Sequence, residues 1–91
     1  MTTQEKIDLV CSNFAEFLKE KNKRYGDSAI APMRIFSKSE AGNQICNRLD
    51  DKLSRIKNST ELKKNDCSDI LGYMVLLMIE KDWTEFDDLL D

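Results

Sequence analysis

The apolar run at residues 70–79, inside the segment NDCSDILGYMVLLMIE (65–80), constrains this chain more than any other feature. Projected at 3.6 residues per turn, its side chains form no single stripe. Ile70, Tyr73 and Leu77 share one face, Leu71, Met74 and Met78 take the next, and Val75, Leu76 and Ile79 fill the remainder. A helix that is apolar all round has to be covered all round. A chain of 91 residues offers few neighbours for that purpose, and a domain of this size is marginal without a staple or a partner. A second copy of the protein is therefore expected to supply part of the cover. With three glycines, one proline and 34% charged residues, the composition favours helices over sheet. The expected fold is all-α: a single domain over 1–91, built as a small bundle of three to four helices and completed by oligomerisation.

Taken in order, Thr2-x-x-Glu5 reads as a capping box. Ile7, Val10, Cys11, Phe14, Phe17 and Leu18 then keep helical spacing as far as about Lys23, with Gly26 as the stop. Residues 29–39 (AIAPMRIFSKS) contain Pro32, which forbids a regular helix there, and read as an ordered connection with one helical turn. A second helix is expected from Ser39 or Glu40 to Ile56, with Ile45, Leu49, Leu53 and Ile56 as its apolar stripe. Residues 57–64 form a polar loop, and Asn65 or Asp66 is expected to cap the central helix. Trp83, Phe86, Leu89 and Leu90 suggest a short amphipathic helix that starts near Asp82.

The net charge of -3 hides a division along the chain: residues 19–64 carry twelve Lys/Arg against six Asp/Glu, while residues 65–91 carry one against eight. That balance argues against direct binding of a nucleic-acid polymer and leaves room for a compact anionic ligand between the zones. The absence of histidine removes the commonest general base and metal ligand. Cys11, Cys46 and Cys67 are odd in number, lack CxxC spacing and suit reduced thiols. The opening MTTQEKID has no signal-peptide pattern, and the apolar run is too short to span a bilayer. A cytoplasmic protein with no membrane partner is expected.

Three groups can carry chemistry. Asp66 and Asp69 share one side of the first turn of the central helix, where carboxylates can hold Mg²⁺ or simply complement the helix N-terminus. Arg48, Lys52 and Arg55 lie within roughly 60° of one another on their helix, suited to phosphate or to solvent. The turn at 23–28 offers Lys23, Arg24, the ring of Tyr25 and the close backbone approach of Gly26, or else a plain helix C-cap.

In order and spacing, NKRYG (22–26), ICNRLDDKLSRI (45–56) and NDCSDILGY (65–73) together resemble the phage "nucleotide modification associated" domain. That group is similar to the all-α nucleotide pyrophosphohydrolases of the MazG and dimeric dUTPase kind. The resemblance covers roughly residues 10–80 and implies helices packed across subunits with a nucleotide at the helical interface. The hydrolase relatives bind Mg²⁺ through an ExxE on one helix and an ExxD on the next. Carried over, the second motif falls on Asp66 and Asp69, and the first on Arg48 and Asp51. A cation thus replaces one carboxylate, which weakens the case for a two-metal site. The resemblance implies a phage protein acting in an infected bacterial host. Its expected role is to bind and sequester a phosphorylated nucleotide, cyclic immune signals included, without turnover. Lys23, Arg24, Tyr25, Arg48, Lys52, Arg55 and Tyr73 would contact the ligand, and Asp51, Asp66 and Asp69 a Mg²⁺ ion. A Mg²⁺-dependent pyrophosphohydrolase and an oligomeric helical adaptor are the alternatives.

Overall fold

The computed structural model describes residues 1–30 and 40–90, and these form three α-helices and one short 3₁₀ turn, with no strand. The expectations for the connection at 31–39 lie outside the described residues. Helix α1 spans Thr3–Tyr25, α2 spans Ala41–Lys57 and α3 spans Lys64–Glu80.

Local chemistry sets the helix ends. Thr2 opens α1 with a complete capping box: its Oγ1 accepts the Glu5 N–H at 3.1 Å, and Glu5 Oε1 accepts the Thr2 N–H at 2.9 Å. These bonds, the Thr2 N–H first, hold the Glu5 carboxyl below its usual value. Gly26 closes α1 in the left-handed region at φ 59°, where a residue without Cβ sits free of strain. The Asp27 N–H reaches back to the Asn22 carbonyl at 3.3 Å, so orphan carbonyls of the last turn gain partners.

At the start of α3 the observed cap differs from the expected one. Lys63 occupies the capping position, one turn earlier than Asp66. Asp66 instead reaches back from inside the helix, its Oδ2 accepting the Lys63 N–H at 3.1 Å. A carboxylate three residues into a helix can satisfy that donor as well as a cap residue can.

Helices α2 and α3 form an antiparallel hairpin. Lys52 faces Asp66 and Asp69 at one end, and a Cβ added to Gly42 would lie 3.5 Å from the Glu80 side chain at the other. Among the described residues, Ala41 and Ile45 of α2 are the buried apolar side chains. Helix α1 touches α3 at Gly72, where Leu18 and Phe14 lie over the glycine; a Cβ there would meet Leu18 Cδ1 at 3.4 Å. Phe14 and Phe17 stack obliquely, 5.8 Å between centroids, along the same face.

The expected C-terminal helix is absent. Asp82 takes φ 59°, and the Trp83 N–H bonds back to the Met78 carbonyl at 2.8 Å, which finishes α3. Beyond it only a 3₁₀ turn, Asp87–Leu89, is present. Trp83, Phe86, Leu89 and Leu90 are all exposed, so a short helix there would find no surface to repay its nucleation. The face of α3 carrying Leu71 and Met74 is also open, these residues being 43% and 42% exposed. No helix among the described residues is long and apolar enough to cross a membrane.

Candidate ligand-binding site

A cavity of about 480 Å³ opens where the three helices meet. That volume suits a small organic ligand. Helix α1 contributes Phe17, Leu18, Lys21, Asn22 and Tyr25, and the turn after it contributes Ser28 and Ala29. Arg48 enters from α2, and Ser68, Asp69, Gly72, Tyr73 and Leu76 line the α3 side. Spacings of three and four along α1 and α3 bring these side chains to one wall each. The Asn22 amide donates to the Asp27 carboxylate, which fixes the turn that carries Ser28 to the rim.

The cavity carries unlike charges in order. Lys21 Nζ lies 3.9 Å from Asp69 Oδ1 and 5.4 Å from the centre of the Phe17 ring. Arg48, at the cavity wall, is exposed and has no carboxylate within ion-pairing distance among the described residues. Its guanidinium is free to meet an anion.

Beside this wall stands a part-buried ion triad. Lys52 Nζ lies 3.1 Å from Asp66 Oδ1 and 2.9 Å from Asp69 Oδ2. The Lys52 and Asp66 side chains are only 11% and 13% exposed. The Asp69 and then the Asp66 carboxylate hold the Lys52 ammonium above its usual value. The Lys63 N–H, and after it the Lys52 ammonium, hold Asp66 below the usual carboxylate value. Low exposure and two short bonds make this a fixed arrangement rather than a mobile surface pair.

Of the residues expected to form a site, Tyr25, Arg48, Asp69 and Tyr73 meet in the cavity. Lys52 and Asp66 join it only through Asp69. Lys23, Arg24, Asp51 and Arg55 are exposed and do not line it, and Arg24 bonds Glu20 Oε1 at 3.0 Å. Lys21 and Ser68 were not singled out by the sequence reading. Lys21 lies one turn before Tyr25, and Ser68 one turn before Gly72, so helical periodicity could have found both.

The Mg²⁺ ion implied by the resemblance can be tested against these donors. Asp66 Oδ1 and Asp69 Oδ2 face the Lys52 ammonium, Asp66 Oδ2 faces the Lys63 N–H, and Asp69 Oδ1 faces Lys21. Three of the four carboxylate oxygens have a donor within 3.1 Å, and the fourth, Asp69 Oδ1, lies 3.9 Å from the Lys21 ammonium. No group of three or more Asp, Glu, Cys or His residues able to hold a metal occurs among the described residues, so Asp51 does not complete the pair. In this arrangement the aspartates do not fit a Mg²⁺ ion. Comparison with known proteins gives no matching family model, no similar curated protein and no similar solved structure.

Proposed function

We propose that this protein binds a phosphorylated nucleotide, linear or cyclic, in the three-helix cavity and holds it without hydrolysis. The observation that carries this reading is the convergence of Arg48 with Tyr25 and Tyr73 on one cavity. A guanidinium grips phosphate through paired N–H donors, and a phenol ring offers a face for a base. Ser68 and Asp69 supply hydrogen-bonding groups for sugar hydroxyls or base N–H groups. Asp69 is engaged by Lys21 and Lys52, so it is poorly placed to take a proton from an attacking water. Storage is therefore favoured over turnover. Self-association belongs to the same reading, because the open Leu71 and Met74 face of α3 lies outside the cavity and can be covered while a ligand is bound.

Mass spectrometry of small molecules retained by the purified protein tests it. The panel comprises nucleoside triphosphates and cyclic di- and trinucleotides, each with and without Mg²⁺. Intact nucleotide released on denaturation is the expected result. Monophosphate and pyrophosphate appearing with Mg²⁺ would replace storage by hydrolysis. Retention of no member would leave a helical adaptor.

A further inference from the structure

The Lys52 triad has a consequence for metal binding that does not depend on what the cavity holds. We propose that the Lys52 ammonium is a built-in cation: it occupies the position between Asp66 and Asp69 that a divalent ion would otherwise take. It thereby makes this site independent of metal. Two carboxylates three residues apart on a helix repel one another unless a positive charge lies between them. Here that charge is covalently tethered, at 3.1 and 2.9 Å from one oxygen of each group. The side chain comes from the facing helix and is 11% exposed, so it is held by packing along its stem as well as by its head.

Charge balance points the same way. Lys52 alone leaves the pair of aspartates one negative charge in excess. Lys21, 3.9 Å from the outer oxygen of Asp69, cancels it. The row Lys21, Asp69, Lys52, Asp66 is formally neutral as a whole, and Arg48 adds a positive charge at the cavity wall with no carboxylate in ion-pairing distance among the described residues. A divalent ion entering between the aspartates would have to displace a tethered ammonium whose proton is held more firmly than usual. Mg²⁺ also demands near-octahedral oxygen coordination, which two carboxylates already bonded to the Lys52 ammonium do not provide. Lys52 is thus a positioning residue, fixing Asp69 at the cavity wall.

Mn²⁺ serves as the probe, read by electron paramagnetic resonance of the free ion and by paramagnetic broadening of backbone amide signals. Wild-type protein is expected to show no selective broadening at Asp66 and Asp69 in the micromolar range. Lys52→Met keeps much of the stem and removes the charge, and is expected to bind Mn²⁺ at least about tenfold more tightly, with broadening centred on those two residues. Lys52→Arg returns a fixed cation and is expected to abolish that gain. A purely structural role for Lys52 would not move Mn²⁺ affinity in this pattern. Selective broadening at both aspartates in wild-type protein overturns the proposal, and so does a folded Lys52→Met variant whose Mn²⁺ affinity equals that of wild type. If Lys52→Met fails to fold, the wild-type spectrum decides alone. Because the probe is the metal, the result stands whether or not a nucleotide is retained.

Discussion

At the scale of single residues, Arg48 and Lys52 separate two roles that their sequence spacing makes look alike. Both stand on one side of α2, yet only Arg48 opens on the cavity, and Lys52 is bonded to Asp66 and Asp69. Arg48→Ala is expected to weaken a bound phosphorylated nucleotide by about tenfold or more, as loss of a charge-assisted bond to phosphate does. Arg55→Ala, outside the cavity, should leave binding within about twofold under the same reasoning. Isothermal titration with the retained nucleotide distinguishes them, and equal losses at both positions would move the site towards Arg55. The triad also sets a pH response. Asp66 is held below its usual 3.8, so its contribution to stability is present above that pH and is lost as pH falls through the lowered value. Lys52 is held above its usual 10.5, so its contribution is complete below that pH and is lost as pH rises through the raised value. Thermal unfolding should therefore be flat between these limits as far as this triad is concerned. Asp66→Asn should lower Tm at neutral pH, and the gap to wild type should close in strong acid; a gap constant with pH would show that Asp66 acts through packing alone. The candidate acids and bases were legible as residue types, since charge and spacing are written in the chain. Their pairing was not, because it depends on which turn of α2 faces which turn of α3.

At the scale of elements, the sequence was most informative where a local rule decides the outcome. Thr2 and Glu5 cap α1, and Gly26 ends it, because both devices act within a few residues. The central helix α3 and the start and end of α2 were likewise close to expectation. The tail was not. Trp83, Phe86, Leu89 and Leu90 have helical spacing, but spacing does not create a helix without a surface to bury. The decisive residue is Asp82, whose left-handed backbone lets Trp83 bond back to Met78 and stop α3. A residue with a Cβ is strained in that region by roughly 1 kcal/mol. Asp82→Gly should relieve it and raise Tm by a few degrees, about 4–8 °C per kcal/mol for a domain of this size. Gly26→Ala has the opposite sign: its φ of 59° penalises any Cβ even though nothing lies within 4 Å of the added atom. Differential scanning calorimetry of both variants checks the pair. A shift of the same sign in both would mean that something other than backbone conformation limits these helix ends.

At the scale of the whole molecule, the chain exposes more surface than a compact monomer of its mass, and self-association is the expected outcome that light scattering tests. Its accessible surface is 7719 Å² at 10.5 kDa, whereas a compact monomer of that mass exposes roughly 5,400 Å². Its radius of gyration is 15.0 Å, against about 12 Å for a compact domain of equal length. The excess surface exceeds the roughly 800 Å² that each partner buries in a stable protein–protein interface. Among the described residues, the buried apolar side chains Ala41 and Ile45 are a small core for three helices. Uncovered apolar residues include Ile7 and Val10 on α1, Leu71 and Met74 on α3, and Trp83, Phe86, Leu89 and Leu90 in the tail. Charged replacements at the α3 pair leave the cavity lining untouched, since neither residue lines that cavity. Light scattering coupled to size exclusion is expected to give at least twice the 10.5 kDa chain mass for wild type. Leu71→Glu with Met74→Glu is expected to reduce it, because two carboxylates on an apolar interface stay unpaired and desolvated. If the double variant keeps the wild-type mass, the contact uses another face, and Ile7→Glu with Val10→Glu becomes the variant that should dissociate it. A wild type that runs as a monodisperse single chain at micromolar concentration would mean that α3 tolerates its open apolar face, and the reading of residues 70–79 as a helix covered all round would be lost.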